Sequence, residues 1–556
     1  MAGICASAAP ISTKNTNLED IRRSITYHPS IWGDHFLAYT SNVTEITAAE
    51  KEQLEKLKEK IKNLLAQTSD DSTLKIELID GIQRLGVAYH FEKEIDKSLR
   101  KIHDNHQIQS SKDDNNVRVV ALHFRLLRQQ GYRVSCDAFE KFINDEGNFM
   151  ESLITDVEGM LSLYEASNYG VNGEEILDKA LDFCSSHLES LLPQMTPSLS
   201  RRVRGALEMP ISKTLIRLGA TKFMPIYQED ELHNEDLLSF AKLDFNIVQK
   251  IHQNELNNIT RWWKDLDVTN KLSFARDRVV ECYFWILGVY FEPHYNIARK
   301  MLTKVIAMAS ILDDIYDVHG TLEELQHFTV AIQSWDISVV DELPPYMRIC
   351  YEALLGVYAE MEAEMTRQGK SYRIQYAKQE MIKLVTAYME EAKWCYSKYI
   401  PTMEEYMKLG LISGAYMMLA TTSLVGMEDV AITKRDFDWI TNEPPILQAA
   451  SIICRLKDDM VGHGVEQKIT SVDCYMNENG CSKMEALSEL LKRVEKAWKD
   501  LNEECLEPRA ASMPILVRVV NLARVINLLY VGEDSYGNSS TKTKELIKSV
   551  LVDPIN

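Results

Sequence analysis

With 556 residues the chain is long enough for two domains, and its net charge of −20 argues against holding a polyanion such as nucleic acid by general electrostatics. Its residues are 45% hydrophobic and 26% charged with only 23 Gly and 15 Pro, which favours helices over strands or disorder. Ten cysteines without a CxxC pair read as the reduced thiols of an intracellular protein, and no apolar run approaches the roughly 18 residues of a membrane span.

In chain order, residues 1–21 are small and polar with no helical period, and read as a flexible arm. They lack both the apolar core of a secretory signal and the arginines of a transit peptide, so the expected location is cytoplasmic. Arg22, Arg23 and Trp32 then sit among aromatics and turn residues, a composition suited to a strap over another surface or to a staple on its own domain. From Ala48 to about Thr221 helix follows helix. Val120, Phe124 and Leu127 mark one face of a run that Gly131 is placed to end. Asp70-Asp71 and Asp113-Asp114 lie in polar stretches and read as surface loops. Pro210 and Pro225 bracket the expected boundary between an N-terminal helical domain over 22–228 and a second domain over 229–556.

In the second half, Arg276 and Arg278 precede the aromatic run Tyr283-Phe284-Trp285, which reads either as a packed core with a charged rim or as an anion site. Pro293 separates this run from an apolar helix that ends in Asp313, Asp314 and Asp317. Helical spacing stacks Asp313 over Asp317, and Gly320 followed by the capping box Thr321-Leu322-Glu323-Glu324 predicts that the helix stops just beyond. Carboxylates there oppose the helix dipole by about 0.3–1 kcal/mol each. Either the end is solvated or a cation binds it, and all-oxygen ligands suit Mg²⁺. The capping box Thr402-Met403-Glu404-Glu405 opens a helix that meets Ser413-Gly414-Ala415-Tyr416, where a kink would turn carbonyls toward a ligand or a neighbouring helix. A second apolar helix, starting near Pro445, carries Arg455, Asp458, Gly462 and Glu466 along one stripe and meets helix-ending glycines at Gly462 and Gly464. Two acidic helix ends facing each other would form a cup for several divalent ions, with Arg276, Arg278 and Arg455 gripping a bridging anion such as a diphosphate.

These pieces resemble the plant class I terpene synthases, and more closely their cytosolic sesquiterpene cyclases, from about Arg22 to the C-terminus. The RRx8W strap falls on Arg22, Arg23 and Trp32, the RxR pair on Arg276 and Arg278, and DDxxD on Asp313, Asp314 and Asp317. The second metal motif, (N/D)Dxx(S/T)xxxE, falls on Asp458, Gly462 and Glu466. Gly462 replaces the family's Ser or Thr, so a water would stand for that hydroxyl, and a strap with both arginines is commoner in monoterpene enzymes.

The resemblance implies an all-α fold, an N-terminal relic α-barrel beside a C-terminal helical bundle. It implies three Mg²⁺ ions, with Mn²⁺ as a substitute, held by Asp313, Asp314, Asp317, Asp458, Gly462 and Glu466. Farnesyl diphosphate would be held by Arg276, Asp313, Asp317, Arg455 and Asp458, and ionised to a carbocation that leaves as a sesquiterpene from a monomeric enzyme. Arg278 then joins Arg276 at the leaving diphosphate, and Trp285 and Tyr416 are the candidates for facing the cation. Residues 530–538 resemble the family's closing loop, with Asp534 and Tyr536 matching its acid and aromatic. The final proton goes to a group of the site or to the released diphosphate. Because DxDD is absent, the N-terminal domain is expected to be catalytically silent. Three rivals remain: a monoterpene synthase acting on geranyl diphosphate, a chain-elongating synthase, and a non-catalytic helical scaffold. The elongating synthase needs a second DDxxD, which Asp458-Asp459-Met460-Val461-Gly462 does not supply, and the scaffold needs a repeat that the chain lacks.

Overall fold

The computed structural model describes residues 27–70, 72–108, 116–428, 432–465, 468–539 and 542–556. Arg22, Arg23, Asp71, Asp113, Asp114 and Glu466 lie outside them. The described chain is helical, and its only extended pairings are two isolated bridges, Ile143 with Phe149 and Tyr530 with Asp534.

Local chemistry sets many of the helix ends. Capping boxes open the helices Ala48–Gln67, Leu322–Ser334 and Met403–Ser413, the last two at the predicted Thr321 and Thr402. Each such cap stabilises its helix by about 1 kcal/mol by satisfying amides that the first turn leaves open. Gly131, at φ 95°, ends Val117–Gln130 in the left-handed conformation that only glycine adopts cheaply. That helix is buried on two sides: Phe124 enters one N-terminal core with Phe139 and Leu163, whereas Leu126 and Leu127 enter another with Ile79 and Leu99. Val120, Phe124 and Leu127 therefore do not share a single buried face as the periodicity suggested.

A third and larger core fills the second half, and the 32-residue helix Glu235–Leu266 links it to the first half. Its Leu237, Phe240 and Phe245 pack in an N-terminal core, while Leu256, Ile259 and Trp263 pack in the large one. At 1.5 Å per residue it is a spine roughly 48 Å long. Pro225 does not break the chain before it: the proline sits inside the helix Ile216–Glu229, where burial of Leu218, Ala220 and Met224 outweighs one lost backbone hydrogen bond.

The C-terminus docks on this spine. Gln249 donates to the carbonyls of Val550 and Asp553, and Gln253 to that of Leu551. The N-terminal segment docks on it too, through Asn257, whose amide donates to the carbonyls of Phe36 and Leu37. Residues 36–37 and 550–553 are thus held on neighbouring turns of one helix. No helix among the described residues is long and apolar enough to cross a membrane.

Candidate active site

The first acidic end is built by the helix Asn296–Asp314, which continues into a π turn, Ile315–His319. The wider i→i+5 turn takes Asp317 out of simple register with Asp313. Gly320 closes it, its N–H donating to the Ile315 carbonyl at 2.8 Å. Its backbone is extended, at φ −72° and ψ 142°, so conformational freedom is not the reason for glycine here. A Cβ at this position would meet Leu325 Cδ2 at 2.5 Å, and close packing excludes a side chain.

The three aspartates differ. Asp313 and Asp317 keep 26% and 21% of their side chains exposed, but Asp314 is fully buried, contrary to the expectation of three acids at an open helix end. Arg276 compensates it: the Arg276 backbone N–H donates to Asp314 Oδ2 at 2.7 Å, and its guanidinium also bonds Asp313. Burial pushes the Asp314 carboxyl up to about 6, against the lowering effect of Arg276. Arg276 Nε and Asp314 Oδ1 lie 2.8 Å apart, yet both are buried and neither makes a hydrogen bond. Asp314 is thus held by its ion pair with Arg276 and by a hydrogen bond from Tyr27, with Oδ1 outside good hydrogen-bond geometry.

The second acidic end is the helix Pro445–Gly462, which stops at Gly462. The regular helix does not continue past it, since Gly464 takes φ +82°, and Glu466 lies outside the described residues. Arg455 pairs with Asp458 and reaches Asp459 Oδ1 at 2.7 Å. Asp459 is buried and accepts the Tyr406 hydroxyl at 2.9 Å and the Ser471 N–H at 2.9 Å, so it anchors the helix end and leaves Asp458 on the open side.

The two ends face each other across one ammonium group. Lys468 Nζ lies 3.6 Å from Asp317 Oδ2 and 3.9 Å from Asp458 Oδ2. Nothing in the sequence singled out Lys468; its place two residues after Glu466 was the available signal. Among the described residues no three His, Cys, Asp or Glu side chains converge on one point. The acids are instead neutralised separately by Arg276, Arg455 and Lys468, as mutual repulsion between uncompensated carboxylates requires. Hard carboxylate oxygens of Asp317 and Asp458 on both sides of a gap bridged by a cation fit a divalent ion such as Mg²⁺.

The arginine pair splits. Arg276 belongs to the acidic end, but Arg278 is buried and its guanidinium donates to the carbonyls of Tyr536, Asp277, His28 and Gly537 at 2.8–3.1 Å. It is committed to backbone and presents no fork to an anion, unlike the grip expected of it.

The aromatic wall forms below. Trp285 is buried with its ring 5.5 Å from Tyr536 at 84° and 6.5 Å from Tyr530 at 66°. Tyr416 begins the helix Tyr416–Ser423 after a break at Ala415, which adopts φ 64°. Its hydroxyl donates to the Leu522 carbonyl at 2.7 Å, leaving the ring to line the core. At the break, the Gly414 carbonyl meets the Cys454 thiol at 3.6 Å, and the Ser413 hydroxyl donates to Glu391 at 2.6 Å. Tyr536 donates its hydroxyl to Ser310 at 2.8 Å and sets its ring 5.5 Å from the Arg276 guanidinium. Asp534 is spent on its own loop, where Oδ1 accepts the N–H groups of Tyr536 and Gly537 at 2.9 Å.

Two family models match this architecture: the terpene synthase N-terminal domain over residues 31–207, and the metal-binding domain of the terpene synthase family over residues 264–500. The chain belongs to the terpene synthase family, with its all-α two-domain class I fold and a metal-binding catalytic domain.

Its relatives include the (−)-germacrene D synthase of Origanum vulgare, 74% identical over 557 residues and covering 100% of this chain and 99% of the relative. The germacrene-D synthase of Ocimum basilicum is 74% identical over 555 residues with full coverage of both, and the selinene synthase of the same plant is 60% identical over 562. Among solved structures, limonene synthase with 2-fluorolinalyl diphosphate matches at a TM-score of 0.91 and 32% identity, covering 96% of this chain and 100% of that one. Isoprene synthase of Populus x canescens, in complex with three Mg²⁺ ions and dimethylallyl-S-thiolodiphosphate, matches at 0.86 and 32%, covering 92% and 98%.

Proposed function

We propose that this protein is a Mg²⁺-dependent sesquiterpene synthase that ionises farnesyl diphosphate in the cytoplasm and releases diphosphate and a cyclic sesquiterpene, germacrene D being the first product to seek. The observation that carries this reading is the pair of acidic helix ends closing on Lys468, between Asp317 at 3.6 Å and Asp458 at 3.9 Å, above a buried aromatic wall. The 74% identity to two germacrene D synthases supports the product class.

Asp313, Asp314, Asp317 and Asp458 would hold the metal ions, three by analogy with the isoprene synthase complex, joined by Glu466 and by a water in place of the hydroxyl that Gly462 lacks. Bound there, Mg²⁺ supplies Lewis-acid charge to the leaving diphosphate. The allylic C–O bond breaks with both electrons going to the diphosphate oxygen, and the charge that develops there is what the site must stabilise. Arg276 and Arg455 stand at the two acid ends as hydrogen-bond donors to that oxyanion. The carbocation left behind is guided by the faces of Trp285, Tyr416 and Tyr536, each worth roughly 0.5–2 kcal/mol to a nearby positive charge. A distal double bond of the substrate attacks it to close the ring, and loss of a proton ends the reaction. Residues 27–32 and 530–539 cover the site and keep out water, which would otherwise capture the cation as an alcohol.

Incubating the purified protein with Mg²⁺ and geranyl, farnesyl or geranylgeranyl diphosphate, and resolving the volatiles by gas chromatography, tests this directly. A cyclic C15 hydrocarbon as the main product is expected. Higher kcat/KM on geranyl diphosphate would make it a monoterpene synthase, and no turnover of any of the three would overturn the proposal.

A further inference from the structure

We infer that Arg278 is a positioning residue that ties the N-terminal segment and the 530–539 loop into one cover over the site, so that the two open and close together. The inference rests on the reading above that the site ionises a prenyl diphosphate, but its structural half stands apart from it.

Arg278 lies at the start of the helix Val279–Val289 and is 1% exposed. Its Nη2 donates at 2.8 Å both to the carbonyl of His28 in the N-terminal segment and to that of Gly537 in the loop, while Nε donates to Tyr536 at 3.1 Å. One turn further on, Glu281 repeats the arrangement from the acceptor side. It takes the Trp32 indole N–H at 3.2 Å and a hydrogen bond from Ser539, and it too is buried. Each of the two residues therefore holds both covers, and the helix Val279–Val289, packed in the large core, carries the pair.

The physical consequence is cooperativity. If one cover lifts alone, a buried guanidinium or carboxylate loses part of its hydrogen bonding without gaining water, and the penalty falls on the cover that stayed. If both lift, solvent reaches the charges and satisfies them. Single opening is thus the least favourable state. The covers also meet a common target, since Tyr27 of one and Tyr536 of the other place their rings 5.3 Å and 5.5 Å from the Arg276 guanidinium. Arg276 is bonded to Asp313 and Asp314, so a diphosphate arriving at the acidic ends meets a residue on which both covers rest. Arg278 acts on the reaction through this closure and through the exclusion of water, not as a donor to the diphosphate.

The test is hydrogen exchange by mass spectrometry on the full-length, metal-free protein, followed by product analysis. In the parent, peptides spanning 27–37 and 530–539 are expected to exchange with one common opening rate. Arg278→Gln should raise exchange in both by tenfold or more. Trp32→Phe, which removes only the indole N–H from Glu281, should raise it in 530–539 as well as around residue 32, and serves if Arg278→Gln does not fold. With substrate and Mg²⁺, Arg278→Gln should lower kcat, leave inhibition by inorganic pyrophosphate within about twofold, and raise the alcohol fraction of the products several-fold. Loss of protection in one segment alone overturns the coupling. A tenfold loss of pyrophosphate inhibition with unchanged exchange overturns it in favour of an anion ligand. Absence of turnover in the parent would sink the proposed function and leave the exchange result to be read by itself.

Discussion

Asp313 and Asp314 are neighbours in the chain and opposites in circumstance. Asp313 is a quarter exposed and shares Arg276, whereas Asp314 is buried and is the main compensation for that arginine's charge. Asp313→Ala is therefore expected to remove most turnover while its helical circular dichroism and melting temperature stay near the parent's. Asp314→Ala should lose turnover and also stability, on the order of 3 kcal/mol, because removing one partner strands a buried charge. Thermal melts of the two variants in the absence of metal separate them; equal melting temperatures would contradict the burial argument. The acids themselves were legible as residues in the wrong place for the helix dipole. The role of Arg278 was not, because the carbonyls it bonds lie 250 and 259 residues away along the chain.

Among the elements, the capping boxes at Thr321 and Thr402 could be placed from sequence because a cap needs only four consecutive residues. The break between Met403–Ser413 and Tyr416–Ser423 was legible from Gly414, yet the residue that turns left-handed is Ala415. An L-residue pays roughly 1–2 kcal/mol for that conformation, which glycine avoids. Ala415→Gly should thus hold or raise the melting temperature by a degree or two with turnover retained, while Ala415→Val, β-branched at φ 64°, should lower both. Thermal melts and product profiles check the pair, and a destabilised glycine variant would show that the Ala415 methyl contributes more packing than strain. The π turn at Ile315–His319 had no sequence signal, since it depends on how Gly320 packs against Leu325.

For the whole molecule, the contact between the two halves carries a titratable group. Lys213, from the N-terminal half, holds its ammonium 5.4 Å from the Trp498 ring of the second, and burial pushes its pKa down from the ordinary 10.5 to about 8. Between those values the unfolded chain keeps a proton that the folded protein has released, so stability rises with pH from about 8 to 10.5 and the penalty is in full force below 8. Lys213→Met should be more stable than the parent at pH 7, with the difference shrinking as pH rises toward 10. Melting temperatures of parent and variant across that range decide it, and a constant difference would mean the lysine is not the group that titrates.

The sequence by itself determined the helical class, the caps, the two acidic helix ends and their family, because each depends on residues within a few turns of one another or on short motifs. Only the tertiary structure decided which of three aspartates is buried, which of two arginines is spent on backbone, that Lys468 stands in the gap, and that the spine Glu235–Leu266 belongs to both halves. Burial and partner choice are set by segments hundreds of residues apart, whose approach is governed by packing of the large core and not by any local preference.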